Sequence, residues 1–355
     1  MKTKWCLTTV LVLAALAQAA CTQSDTCGAV GDVEFVCGPV NAEDLVLVPD
    51  SPWIIASGMA AGAGFSAINA ETGEAKPLPV ASGTSGDMYP RTCTTPPEAG
   101  EFESHGLDLH VANNGQLTLH AVGHGPREAI EIYDVGTSAD GPSLTWKGCV
   151  PMPDGLAANS VASFRDGSLV ATVLFLPGTT FADAVVDKKP TGAVFRWRLG
   201  DAGFTQIEGS ELPANNGITI SADDSEIYVA SSGLQTIVAF SNSNPTRQIG
   251  TSAPLPITPD NVHRAPNGKL LTAGMKNDVP ECGGPPGAGD SIERLASCPR
   301  GSIAIEIDPA TMADRVLVET PALQEFSNAT MVLPAAGRYW FGTFMGDRVA
   351  SVAMP

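Results

Sequence analysis

The feature that most constrains this chain is a unit repeated six times, conserved in its turns rather than in identical residues. Each copy opens on a polar side chain, continues as a short apolar strand, bends at a turn rich in Asn, Asp, Gly or Pro, and returns as a second strand. The first three copies run from Glu43 to Pro49-Asp50-Ser51-Pro52, from His105 to Asn113-Asn114-Gly115, and from Asn159 to Arg165-Asp166-Gly167. The others run from Asn216 to Ala222-Asp223-Asp224, from Asn261 to Pro266-Asn267-Gly268, and from Ser327-Asn328 to Pro334-Ala335-Ala336-Gly337. Further strand-like stretches lie between the copies, among them 129–135, 192–199, 236–241, 302–308 and 348–354. Six units of about four strands each, with no long amphipathic helical period, predict an all-β, six-bladed β-propeller. A pair of β-sandwiches is the alternative.

Composition agrees with many strands and tight turns. Of 355 residues only 16% are charged, against 37 glycines and 28 prolines. The formal net charge of −18 repels phosphate backbones, so a nucleic-acid partner is not expected.

The first residues read as a targeting segment. Lys2 and Lys4 precede an apolar run from Leu7 to Leu16 that ends in Ala17-Gln18-Ala19-Ala20-Cys21. That run is too short for a bilayer anchor and suits a signal peptide. The expected layout is a signal peptide at 1–20, a linker or anchor segment at 21–40 and the propeller at 41–355. Two readings stand for the cleavage site: a cut after Ala19, or lipidation of Cys21 as in bacterial lipoproteins, which would attach the protein to a membrane. Either makes the protein exported, to the periplasm or beyond the cell. Six cysteines remain after Cys21, and an exported chain tends to pair them. Cys282 and Cys298, flanking a Gly/Pro-rich loop, are expected to form one disulfide. Asn328-Ala329-Thr330 is a glycosylation sequon, relevant only in a eukaryotic source.

In a propeller, equivalent starts of the six inner strands converge at one mouth of the central channel. Glu43, His105, Asn159, Asn216, Asp260-Asn261 and Asn328 hold that place. Any one of them could be a turn former or strand-end cap, but as a set they ask for a common partner. Carboxylate and amide oxygens without cysteine suit Ca2+, so Glu43, Asn159, Asn216, Asp260 and Asn261 are the expected metal ligands. His105 and His124 lie equally far from the Asn114-Gly115 turn, and a hairpin in simple register sets them opposite each other. Next to a cation, such a pair suits a general base with a tuning partner; two channel-lining histidines that only hydrogen bond are the other reading. His110, His120 and His263 show no comparable arrangement and are expected to be structural or exposed. Neither a serine nucleophile elbow nor an HExxH motif is present.

These residues resemble the paraoxonases and their bacterial relatives, calcium-dependent lactonases and arylesterases on a six-bladed propeller. The likeness runs from about Glu43 to the end of the sequence. It rests on Ala42-Glu43-Asp44-Leu45, Ser104-His105-Gly106-Leu107, His124, Asn216-Gly217-Ile218 and Asp260-Asn261-Val262. The resemblance implies hydrolysis of a small lactone or ester, with Ca2+ polarising the carbonyl, His105 as general base and His124 as its partner. It also implies a second, structural Ca2+ held by Asp44, the Leu107 carbonyl and an Asp beside Asn159. That neighbour is Ser160 here, which puts the second ion in doubt. The family's disulfide from the N-terminal segment to the last strand has no counterpart, because Val349-Ala350-Ser351-Val352 lacks cysteine. Two other functions stay open: a gluconolactonase-like sugar-lactone hydrolase, and a calcium-stabilised binding propeller without catalysis.

Overall fold

The computed structural model describes residues 27–355, apart from 87, 91, 286, 288, 292, 293, 295 and 296. The expected signal peptide and Cys21 lie outside the described residues. The chain folds as a six-bladed β-propeller, each blade built on an up-and-down antiparallel sheet, to which blade two adds the short parallel edge strand Val80–Ala81. The six copies seen in the sequence open the six blades in order. Their first strands are Leu45–Leu47, Glu103–Val111, Val161–Ser163, Asn215–Ile220, Ile257–Arg264 and Ala329–Ala335.

The hairpins form for a local reason repeated from blade to blade. In blades two to five an Asn or Asp side chain caps the turn by accepting from the backbone N–H two residues on. The pairs are Asn114 with Gln116, Asp166 with Ser168, Asp223 with Ser225 and Asn267 with Lys269. The residue between them takes a left-handed backbone: Gly115 at φ 83°, Gly167 at 84°, Gly268 at 80° and, in blade four, Asp224 at 64°. Each hairpin returns as an almost wholly buried strand such as Trp53–Ala56 or Leu169–Val173. Because both faces are covered, these strands read as continuous apolar runs. Six apolar clusters fill the six gaps, one between each pair of neighbouring blades. The core is therefore a ring around the channel.

Closure rests on strand pairing. Val33–Cys37 runs antiparallel to Arg348–Ala353 from Val33 opposite Val352 to Cys37 opposite Arg348, and so joins blade six. Part of the segment expected to lead into the propeller thus belongs to its sheet. All six cysteines after Cys21 pair, as Cys27–Cys37, Cys93–Cys149 and the expected Cys282–Cys298. Three disulfides point to a compartment outside the reducing cytoplasm. Among the described residues, no helix is long and apolar enough to cross a membrane.

Candidate active site

One local device positions the site residues. Four inner strands carry a β-bulge near their start. In blade two Ser104 pairs with Gly123 and Leu107 with Ala121, so His105 and Gly106 together face one residue. Blade four does the same at Asn216-Gly217 and blade five at Asp260-Asn261. A shift in blade six falls at Thr330. A bulge bends the strand and re-aims side chains, here toward the axis. The glycines have a reason as well. A Cβ on Gly106 would meet the Asn159 carbonyl oxygen at 2.7 Å, and one on Gly217 would meet Asn261 Cα at 2.5 Å. Only glycine lets each bulge lie that close to its neighbour blade.

Glu43, His105, Asn159, Asn216 and Asp260 line one cavity of about 230 Å³ at the channel mouth. Asn261 joins them through its amide nitrogen, which donates to Glu43 Oε1 at 2.6 Å. Buried oxygens of four of these residues, Glu43 Oε2, Asn159 Oδ1, Asn216 Oδ1 and Asn261 Oδ1, accept no hydrogen bond among the described residues. Burial pushes the Glu43 carboxyl well above its usual range, helped by the charges of Asp260 and Asp44, while the Asn261 bond pulls the other way. Burial likewise raises Asp260 to about 7; a hydrogen bond from Asn216 works against this and the Asp44 charge adds to it. Unpaired amide oxygens beside two carboxylates that resist ionising are what a hard cation would satisfy. No cluster of three or more His, Cys, Asp or Glu side chains suited to a metal occurs among the described residues; amides supply more than half of this donor set.

The backbones behind these oxygens are held by threonines. Thr172 donates to the Asn216 carbonyl, Thr272 to the Asn261 carbonyl at 2.8 Å, and Thr330 to the Glu43 carbonyl. All three are fully buried. Sequence reasoning missed them; the available signal was a lone hydroxyl inside an apolar strand.

The histidine pair meets by a different register from the simple one. The bulge sets Glu103, not His105, opposite His124. The two rings nonetheless touch, with His105 Nδ1 3.0 Å from His124 Nε2. His105 Nε2 faces Glu43 Oε2 at 3.7 Å, beyond hydrogen-bond reach. Burial, with the second imidazole beside it, drops the His105 pKa to about 3. His124 Nδ1 lies 2.6 Å from Glu128 Oε2, a partner that sequence reasoning did not find.

Asp44 and Leu107 sit behind the cavity. Asp44 Oδ1 accepts from the Leu45 N–H at 2.9 Å and meets His263 Nε2 at 2.7 Å, while Oδ2 accepts from the Leu107 N–H at 2.7 Å. Protein groups thus engage both oxygens, and Leu107 turns its N–H to Asp44. His263, expected to be structural or exposed, is an interior partner. Burial lowers its pKa, but Asp44 and Asp108 outweigh that and leave it raised. Elsewhere in blades two and three His120 Nδ1 lies 3.2 Å from Asp108 Oδ2, Ser163 donates to the same oxygen at 2.5 Å, and His110 Nδ1 lies 3.2 Å from Ser163 Oγ. The cavity walls above the polar floor are apolar, built from residues such as Met59, Leu174, Phe175, Phe181, Met275 and Phe344, with Lys188 among the lining. Phe181 comes from the short helix Phe181–Val185, fixed by a capping box between Thr180 and Asp183.

No protein-family model matches the chain, and no curated protein matches it in sequence. Solved structures do. A luciferin-regenerating enzyme superposes with a TM-score of 0.53 at 13% identity, over 90% of this chain and 94% of that one. A gluconolactonase from Xanthomonas campestris superposes with a TM-score of 0.51 at 15% identity, over 91% of this chain and 89% of that one. At these identities the likeness is one of fold, and the neighbours include gluconolactonase-like propellers.

Proposed function

We propose that the chain is a calcium-dependent hydrolase of lactones or aryl esters. The observation that carries this reading is the convergence of buried, unpartnered oxygens from Glu43, Asn159, Asn216 and Asn261 on a cavity that His105 also enters. With Asp260, these residues would hold the ion. When bound, it supplies Lewis-acid polarisation of the substrate carbonyl. His105 takes a proton from the attacking water and His124 steadies the ring that receives it. Water oxygen bonds to the carbonyl carbon, the C–O bond to the leaving alcohol or phenol breaks, and the proton ends on that leaving oxygen. The apolar walls exclude bulk water and seat an apolar acyl or aryl group, which favours this reading over a sugar lactone. Turnover of a panel of aliphatic lactones, aryl esters and sugar lactones, with and without chelator, tests it. Calcium-reversible hydrolysis of the apolar members is expected; calcium binding with no turnover would mark a binding propeller instead.

A further inference from the structure

We infer that Glu128 is the positioning residue that sets the tautomers of both histidines, and so leaves the His105 Nε2 lone pair open to the cavity. The inference rests on the proposed role of His105, but its geometry stands alone. Glu128 sits in the turn Gly125–Glu128 between two strands of blade two, and its carboxylate meets His124 Nδ1 at 2.6 Å. The neighbouring Arg127 is committed elsewhere, to both oxygens of Glu131 at 2.7 and 2.9 Å and to the Thr95 carbonyl. His124 is therefore the one side-chain partner of Glu128 among the described residues.

The rest follows from counting donors. An ionised carboxylate only accepts hydrogen bonds, and a neutral imidazole has one N–H and one bare nitrogen. His124 must then carry its hydrogen on Nδ1, facing Glu128, which leaves Nε2 bare. His105 Nδ1, 3.0 Å from that bare nitrogen, must be the donor. The single hydrogen of the His105 ring is thereby used on the side away from the cavity. Its Nε2, toward Glu43 Oε2 at 3.7 Å, keeps its lone pair. A carboxylate on the rim thus determines, through two rings in series, which atom of the inner ring can accept a proton. The logic is that of outer hydrogen-bond partners fixing an imidazole's tautomer and orientation.

The test reads the tautomers directly, from one- and two-bond ¹H–¹⁵N couplings in ¹⁵N-histidine-labelled full-length protein with both rings neutral. His105 and His124 are expected to carry hydrogen on Nδ1. In Glu128→Lys, whose ammonium only donates, both rings should switch to Nε2–H. In Glu128→Gln, whose amide oxygen can still accept, both should stay as in the parent. Rates of lactone or aryl-ester hydrolysis should follow. Glu128→Lys should lose on the order of 10²-fold in kcat, the contribution typical of a positioned general base, with KM little changed. Glu128→Gln should keep most of the rate. An Nε2–H on either ring of the native protein, or unchanged tautomers in Glu128→Lys, would overturn the inference. A native protein with the stated tautomers but no hydrolysis would sink the proposed activity and leave the tautomer inference standing.

Discussion

The channel holds two groups of polar residues that differ in how their hydrogen bonds are completed. At the mouth, Glu43 Oε2 and the amide oxygens of Asn159, Asn216 and Asn261 are buried without partners among the described residues. In an inner group, Asp44, Asp108, His120, His263 and Ser163 answer one another at 2.5 to 3.2 Å. The mouth group is a carboxylate and three amides, while the other combines carboxylates, imidazoles and a hydroxyl, with Asp108 and His263 only partly buried. What separates them is whether the protein alone completes their hydrogen bonds. A buried polar group left unpaired costs ~1–3 kcal/mol, and the four mouth oxygens are the groups that the proposed cation would satisfy. The inner group reads as structure, and the mouth as a site.

The sharpest way to break this contrast is at the histidines. His105→Gln should cut kcat by roughly 10²–10⁴-fold, whereas His120→Gln should leave it near the parent value in the same assay. Equal losses would erase the distinction. The oxygens offer a second cut. Asn216→Ala should lower turnover by about 10²–10³-fold, the range for losing one group that stabilises a developing oxyanion, and should weaken calcium binding in a direct titration.

Thermal unfolding with and without chelator sharpens the comparison further. Free calcium at 100 times its Kd should stabilise the fold by about 2.7 kcal/mol. The pH dependence has a definite sign. In the protein alone Asp260 is raised from 3.8 to about 7, so the folded state binds that proton more tightly than the unfolded state does. This contribution to stability is complete below about pH 4 and is lost as pH rises through 7. Chelated protein should therefore melt lower at pH 8 than at pH 6, and saturating calcium should remove that slope. The smallest effect belongs to the inner group: Ser163→Ala should cost about 1–3 kcal/mol of stability, measured by denaturant unfolding, with calcium affinity unchanged.

Much of this architecture can be read from the sequence, because a propeller is assembled from local hairpins. Asn114-Gly115, Asp166-Gly167 and Asn267-Gly268 announce their turns within four residues, and a polar residue before each apolar strand marks the mouth. Long-range geometry was not legible. Nothing local in Gly125-Pro126-Arg127-Glu128 shows that a loop carboxylate reaches back to His124. The bulge at His105-Gly106 breaks the simple register that counting from the turn implies, and its close approach to Asn159 of the next blade depends on Gly106. That His263 is structural rather than exposed could not be read locally, because its partner, Asp44, lies 219 residues away. Closure through Val33–Cys37 was equally hidden, since that pairing joins stretches more than 300 residues apart.

That closure gives the molecule an order of events. On a growing chain, blades one to five can each form once their own strands exist. Blade six must wait until 348–353 can meet 33–37. Thr330 of that blade holds the Glu43 carbonyl, and Gly342 lies against Ala42 and Glu43. The carboxylate at the centre of the mouth is therefore braced only once the ring is shut. An unfinished or clipped chain would keep most of its blades yet have no firmly built mouth. Calcium affinity would then report a completed circle rather than the presence of any one blade.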